Sequence, residues 1–369
     1  MTIHLVYPVN QNKIAAPWSM GNHLFKFFKK INYDVKVYQW TSFEKIIPQP
    51  GDILIGHAHP NPITCFRRSL KSPDWKKKYL LQPYNEDIYQ MSYINNFINE
   101  VDYFFAITGE YWFKRIENTI FASWKKKMIR IDMGINTKDY PVIKKKFNSP
   151  GKRKFLYIGN DYKFNNFAKN INYLENIVDA YGYKYFGIVG NKSVGRAKYY
   201  GWLDFKSDIG KKIINEYDFY IIVSNNDANP TTILESMSWG LIPFCTKQCG
   251  YYNKKGIINV PINNIKQLVK ILNKYQKMST EKLNLIREAN KNKIVSTYNW
   301  EKICRNVFKV IDKDFNIKKN KKIFQSQQIK KKFLNYEKNS QNYYLLPLNI
   351  FSYILTSLKF LFLRKIFKL

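Results

Sequence analysis

Cysteine and histidine are scarce in this chain of 369 residues, with four of each. Cys65, Cys245, Cys249 and Cys304 form no spaced framework of the kind that staples a small secreted domain, so a reducing, cytoplasmic setting is the default. Cys245 and Cys249 have the spacing of a metal-ligating pair, but no second Cys or His pair close in sequence answers them. They read as core and loop thiols. His57 and His59 have no third ligand nearby, which leaves them short of a zinc site. Acidic residues are few as well, 27 against 61 basic ones, and the formal net charge is +34. So large an imbalance favours polyanions, either a membrane with acidic headgroups or nucleic acid. Only nine of the basic residues are arginine, while Lys, Asn, Ile and Tyr are all abundant, so part of the lysine excess reads as compositional drift on a solvated surface. The basic residues are spread along the chain without a nucleic-acid motif, which leaves only weak, salt-sensitive, sequence-blind binding to that class. No basic start with an apolar core follows Met1, so no secretory signal is expected.

What is present is ample core material, 45% hydrophobic and 17% aromatic residues, in a length that suits two ordinary domains. Residues 3–7, 34–39, 52–56, 78–82 and 103–108 read as strands, and 22–30 has helical spacing. That alternation predicts a parallel sheet covered on both faces. Residues 144–152, KKKFNSPGK, have the composition of an interdomain linker. A second α/β unit then begins with a strand over 155–159. No repeat beyond this alternation is visible.

The most informative stretch is 224–246, SNNDANPTTILESMSWGLIPFCT. The β-branched and aromatic run 218–223 predicts a buried strand ending at Ser224. Asn229 reads as the cap of a helix whose first residue is Pro230, and Gly240 as its left-handed stop before a strand over 241–245. In an open α/β sheet, ligands bind where such a first strand ends. The helix's first amides, near Thr231, Thr232 and Ile233, suit a diphosphate. Glu235 lies about 6 Å further along the axis at about 1.5 Å per residue, close to the reach from outer phosphates back to a ribose. Asp227, in the loop before the helix, would face the diphosphate's other end, where a sugar hangs. The spacing describes a nucleotide sugar held phosphate to helix. The acid pair alone also fits a surface helix with carboxylates near its N-terminus.

These residues resemble the retaining glycosyltransferases of family 4, whose hallmark is an acid, seven residues, then Glu, within S-x-x-E-G-x-P-x-x-x-L-E-A-M-A-x-G-x-I-P. Here the pattern stands as Ser224, Asp227, Ala228, Pro230, Leu234, Glu235, Met237, Gly240 and Pro243. Asp227 replaces the usual Glu, and Ala228 the usual Gly. The resemblance covers about residues 3–312 and implies the GT-B fold, two facing Rossmann-like α/β domains with a central cleft. It also implies transfer of a sugar from a nucleotide-diphosphate donor with retention of configuration. Residues 128–136 are similar to the passage closing the family's first domain, and Asn136 takes the place of its Asp. The resemblance further implies that Lys169, followed by Asn170, touches the diphosphate near Gly159. Asn160 holds the place of the family's Arg, with Lys163 a substitute candidate. Tyr200-Gly201-Trp202 is similar to its entry to the base site. On the acceptor side, the first loop, 16–21, brings Gly21 to the cleft. His57 and His59 either contact donor sugar or acceptor or pack in a loop. Gln82-Pro83-Tyr84-Asn85 replaces a turn that carries a histidine in many relatives, which makes Tyr84 a candidate there.

The expected organisation is an acceptor-side domain over 1–147, a nucleotide-sugar domain over 152–315, a polar basic linker over 316–342, and an apolar, basic helix over 343–369. On a helical wheel Asn349, Ser352, Thr356 and Lys359 share one side of that last segment. This suits a helix lying in an anionic headgroup layer, with a tilted span or docking onto protein as alternatives. Expected partners are a nucleotide sugar, a lipid-linked or envelope saccharide acceptor of polysaccharide biosynthesis, and the inner membrane face, where the protein is peripheral. No cofactor and no metal is required, because helix amides and Lys169 can meet the leaving charge. A catalytically weakened, membrane-anchored relative that only binds nucleotide or sugar is the alternative, and a basic nucleic-acid-binding protein the remoter one.

Overall fold

The computed structural model describes residues 1–14, 16–61, 63–160 and 166–312. Along the chain the first elements are β1 (Thr2–Val6), α1 (Trp18–Lys30), β2 (Asp34–Tyr38), β3 (Asp52–Gly56), α2 (Cys65–Ser69), β4 (Trp75–Pro83), α3 (Ile88–Ile94), β5 (Tyr103–Ile107), α4 (Gly109–Arg115) and β6 (Met128–Ile131). They are followed by β7 (Phe155–Ile158), α5 (Asn166–Lys169), α6 (Ile171–Tyr181), β8 (Phe186–Val189), β9 (Lys198–Tyr199), α7 (Asp208–Glu216), β10 (Phe219–Ile222), α8 (Thr231–Trp239), β11 (Ile242–Thr246) and β12 (Ile258–Val260). The last are α9 (Ile265–Gln276), α10 (Thr280–Ser296) and α11 (Trp300–Asp312).

Two six-stranded sheets result, ordered β2-β1-β3-β4-β5-β6 and β12-β11-β10-β7-β8-β9. Every strand pair is parallel. Central strands such as β3, β5 and β10 are buried along their whole length. This is why they read as continuous apolar runs and not as alternating ones. In the second sheet Phe155 anchors an aromatic cluster with Phe186, Phe219 and Phe244 at centroid distances of 5.4, 4.9 and 5.6 Å.

The chain divides into two compact units. Of the described residues, one comprises 1–107, 112–131 and 304–312; the other comprises 108–111 and 132–303. The closing helix therefore belongs to both by sequence, and its Phe308 ring is tilted against Phe27 and edge-on to Tyr33 of the first unit, at centroid distances of 6.3 and 5.4 Å. Each sheet has a switch point where successive crossovers leave in opposite directions, between β1 and β3 in one and between β7 and β10 in the other.

Two expectations change. Helix α1 begins at Trp18, so Gly21 lies inside it and not in a loop. A Cβ there would sit 2.2 Å from the Pro8 carbonyl oxygen, and that close approach explains the glycine. The stretch 144–152 is no loose linker. Lys144 is 1% exposed, 3.2 Å from the buried Asp218, and donates to the Asn215 carbonyl at 2.8 Å. Asp218 also accepts from the Asn148 and Lys154 amides at 2.7 and 3.0 Å. Arg153, fully buried, donates to the carbonyls of Asn148 and Tyr275 at 3.1 and 2.8 Å. The expected tail, 316–369, and Lys163 lie outside the described residues.

Candidate nucleotide-sugar site

At the second sheet's switch point, β10 ends and the chain enters the loop before α8. Three neighbours pin that loop. Thr246 Oγ1 donates to the Ser224 carbonyl at 2.6 Å, the Asn225 and Asn226 amides donate to the Ala168 carbonyl at 2.9 and 3.3 Å, and the Asp227 amide donates to the Gln248 carbonyl at 3.1 Å. Behind the last of these, Gly250 (φ +85°) leaves no room for a side chain, because a Cβ would meet the carbonyl oxygens of Ala228 and Thr108 at 2.7 and 2.8 Å. Gly109 is equally tight on Gly250, and the Glu110 carboxylate lies 2.5 Å from Lys254 Nζ.

Asn229 does not cap the helix. Its Oδ1 accepts from the Met133 amide at 2.8 Å and the Tyr251 hydroxyl at 3.1 Å, and Pro230 occupies the cap position. Proline offers no side-chain acceptor, so the amides of Thr231 and Thr232 open the helix without a side-chain cap, and Ile233 N makes a long bond of 3.4 Å to the Pro230 carbonyl. Two well-buried polar atoms beside them, Ser224 Oγ and Asn229 Nδ2, have no hydrogen-bond partner among the described residues. Such orphans are uncommon in folded proteins and mark places where a ligand or water completes the bonding.

The charged groups converge on the same loop. Lys169 ends α5, and Asn170 then takes a left-handed backbone (φ +56°) and donates to the Val223 carbonyl at 3.1 Å before α6 begins. This bend brings Lys169 Nζ to 2.5 Å from Asp227 Oδ2, with both side chains about one-fifth exposed. Glu235, one turn into α8, is 8% exposed, with the hydroxyls of Thr231 and Tyr140 near it. Burial pushes its carboxyl up from 4.5 to about 7, and the two hydroxyls restrain the rise. The Tyr220 hydroxyl, rooted in the sheet, donates to Thr232 Oγ1 at 2.7 Å. Gly159, at the end of β7, donates to the Val189 carbonyl at 3.0 Å and lies so close to Gly190 that a Cβ on the latter would come within 1.9 Å of its carbonyl oxygen.

The structure thus brings Asp227, Lys169, Glu235, Asn229, Thr231, Thr232 and Ile233 to one end of α8. Tyr140 is the residue that the sequence did not reveal there, and no local pattern around it signals a role. The candidates of the first unit lie in packing and turn positions. His57 is 6% exposed, with its ring 5.4 Å from that of Tyr7 and 4.7 Å from that of Trp40; its Nδ1 donates to the Ala58 carbonyl at 2.6 Å. Burial pushes its imidazole down to about 3, so it is neutral. His59 Nδ1 accepts from the Asn61 amide at 3.0 Å, closing a turn. Tyr84 is fully buried, edge-on to Phe121 and Trp124. All four cysteines are free and buried, and the described residues contain no group of three potential metal ligands.

No family model and no curated protein matches this sequence. Solved structures do match its fold. The apo form of the lipopolysaccharide outer core galactosyltransferase WaaB aligns with 84% of this chain and 100% of its own at a TM-score of 0.61 and 12% identity. HepE from Anabaena, solved in complex with UDP and glucose, aligns with 84% of this chain and 99% of its own at 0.53 and 10% identity. TarM aligns with 71% of this chain at 0.50 and 13% identity; the match spans 55% of TarM, about half its length. The fold is GT-B-like, two parallel six-stranded α/β units.

Proposed function

We propose that the protein is a glycosyltransferase that takes a sugar from a nucleoside-diphosphate sugar bound at the N-terminus of α8, in the manner of the retaining family 4 enzymes. The observation that carries this reading is the grouping of three features on one loop and helix: uncapped amides of Thr231 and Thr232, the Lys169–Asp227 pair, and the buried Glu235 one turn further in. Two structural neighbours support it by what they hold or are named for, UDP with glucose in HepE and galactosyl transfer in WaaB.

In this reading the donor's phosphates meet the helix amides and Lys169, its ribose hydroxyls donate to Glu235, and its sugar hydroxyls donate to Asp227. As the bond between the sugar's anomeric carbon and the phosphate oxygen breaks, charge grows on the diphosphate, where the amides and Lys169 meet it. Asp227 stabilises the cationic sugar. The acceptor oxygen bonds to the anomeric carbon on the face the phosphate leaves, and its proton passes to the leaving phosphate oxygen, so no protein base is called on. The residues present meet the leaving charge without requiring a metal. The acceptor is a lipid-linked or cell-envelope saccharide at the cytoplasmic membrane face, a proposal resting on the +34 charge and the apolar, basic segment 343–369.

A second reading, nucleotide binding without turnover, draws on the 2.5 Å contact between Asp227 and Lys169, which engages both groups with each other. The test is thermal-shift and donor-hydrolysis screening of the full chain with UDP-, GDP-, ADP- and CMP-sugars. Stabilisation by one donor, with slow release of sugar lost in Asp227→Ala and Glu235→Ala, is expected. Stabilisation without release selects the second reading, and no stabilisation by any donor refutes both.

A further inference from the structure

Tyr220 lies in the middle of the second sheet, paired with Pro243 of β11 on one side and Leu156 of β7 on the other, and is fully buried. Its side chain leans along the strand to the edge where ligands bind in such sheets. There the hydroxyl stands 2.7 Å from Thr232 Oγ1, in the first turn of α8, and 3.5 Å from the carbonyl oxygen of Ile158, the last residue of β7. Phe219, Ile221 and Ile222 make up the rest of β10, and a phenylalanine at 220 would fill the same space as the tyrosine. What the hydroxyl adds is the bond to Thr232. A contact of 3.5 Å is too long to hold the phenol's proton, whereas 2.7 Å is an ordinary O–H···O length. Burial pushes the phenol's ionisation well above the ordinary 10, so the proton stays in place, and a phenol is a stronger acid than an aliphatic alcohol. Tyr220 therefore donates and Thr232 Oγ1 accepts.

A hydroxyl that accepts one bond still has its own proton to give. Among the described residues Thr232 gives that proton to nothing, although the residue is half-buried. Side chains in a helix lean toward its N-terminus, which sets this hydroxyl beside the uncapped amides of Thr231 and Thr232. We propose that Thr232 binds the donor's diphosphate through its hydroxyl as well as its amide, and that Tyr220 is the positioning residue that turns this hydroxyl toward it. This rests on the donor site described above. A threonine in a helix divides between two rotamers, because its hydroxyl can turn back to a carbonyl of the preceding turn. Held by Tyr220, Thr232 makes no such bond among the described residues. Its proton is left for a phosphate oxygen, to which it makes a charge-assisted bond next to those of the helix amides.

The experiment uses the full-length protein. Calorimetric titration of wild type with UDP, GDP and ADP in turn identifies the nucleotide it binds. That nucleotide and its phosphate-free nucleoside are then titrated into Tyr220→Phe, Thr232→Val, Thr232→Ser and the Tyr220→Phe/Thr232→Val double variant, the nucleoside by ligand-observed NMR. The variants at the half-buried position 232 test the hydroxyl independently of the buried Tyr220. Thr232→Val should weaken diphosphate binding by about tenfold, and Thr232→Ser, which keeps the hydroxyl, by less than about twofold. Tyr220→Phe should weaken it by about fivefold, and the double variant by no more than Thr232→Val alone, because Tyr220 acts only through that hydroxyl. The nucleoside should bind all forms alike. Equal losses for diphosphate and nucleoside, a Tyr220→Phe loss that adds to that of Thr232→Val, or either single variant binding diphosphate like wild type overturns the inference and leaves the donor site standing. A wild type that binds none of the three nucleotides overturns the donor site, and the positioning role with it.

Discussion

Replacing Glu235 with Gln should make the protein without nucleotide more stable at neutral and alkaline pH, although it removes the group proposed to hold the ribose. The folded protein holds this carboxyl at about 7 against an ordinary 4.5, with burial as the main cause. Below pH 4.5 both folded and unfolded chains are protonated, and burial costs little. Between 4.5 and 7 the unfolded chain has released a proton that the folded chain retains, so stability falls as pH rises through that window. At about 1.4 kcal/mol per tenfold, the full window amounts to about 3 kcal/mol. Gln keeps the shape but carries no charge to bury. His57 acts with the opposite sign, because its folded value of about 3 means stability is lost as pH falls below 6.5. It lies in the other unit and is present in both proteins, so it cancels in the difference. Urea denaturation of wild type and variant from about pH 5 to pH 8.5, read from the transition of the second unit, should give a stability difference that grows from near zero to about 3 kcal/mol and then levels. A difference that is flat with pH, or a variant less stable at pH 8, refutes the reasoning. Adding donor nucleotide should narrow the gap, because only wild type gains binding-linked stability.

Three further outcomes follow from the same site and its supports. Gly250→Ala puts a Cβ at φ +85° within 2.8 Å of two backbone oxygens, so it should cost at least about 2 kcal/mol in denaturation and weaken donor binding by displacing the Asp227 loop. Lys144→Met leaves Asp218 buried without its cation and should cost about 3–5 kcal/mol, measurable by the same denaturation. Asp227→Asn releases Lys169, 2.5 Å away, to the phosphates. Sugar turnover should fall by about 100-fold while calorimetry shows UDP binding that is unchanged or tighter; weaker binding would count against the assigned roles.

The parts of the fold legible in sequence were those written locally. Parallel strands buried on both faces leave continuous apolar runs, and the Pro230 and Gly240 punctuation marks α8 to within a residue. The starts of α1 and α8 carry no mark from a side-chain cap, because both begin without one. Asn229 looked like a cap because its type favours caps, but its side-chain oxygen accepts instead from the Met133 amide and the Tyr251 hydroxyl. The run 144–152 has a linker's composition, and only the fold brings Asp218 to it. His57, at a strand end, can catalyse or pack, and its neighbours Tyr7 and Trp40 favour packing.

The buried acids separate structural carboxylates from the candidate functional one, and sequence spacing cannot make that distinction. In a chain with 61 basic residues, a cation is easy to place beside any acid that folding buries. Among the described residues, three of the four buried acids have a basic partner: Asp218 has Lys144 at 3.2 Å, Asp52 has His4 at 3.1 Å, and Glu86 has Arg115 at 3.0 Å. Glu235 has no ion-pair partner among the described residues, and burial pushes its carboxyl up to about 7. A merely structural acid at that position would be better served by one of the abundant lysines, which would remove the penalty of burying it. Without a cation beside it the carboxylate's charge is left uncompensated, which suits a group that completes its bonding with a ligand.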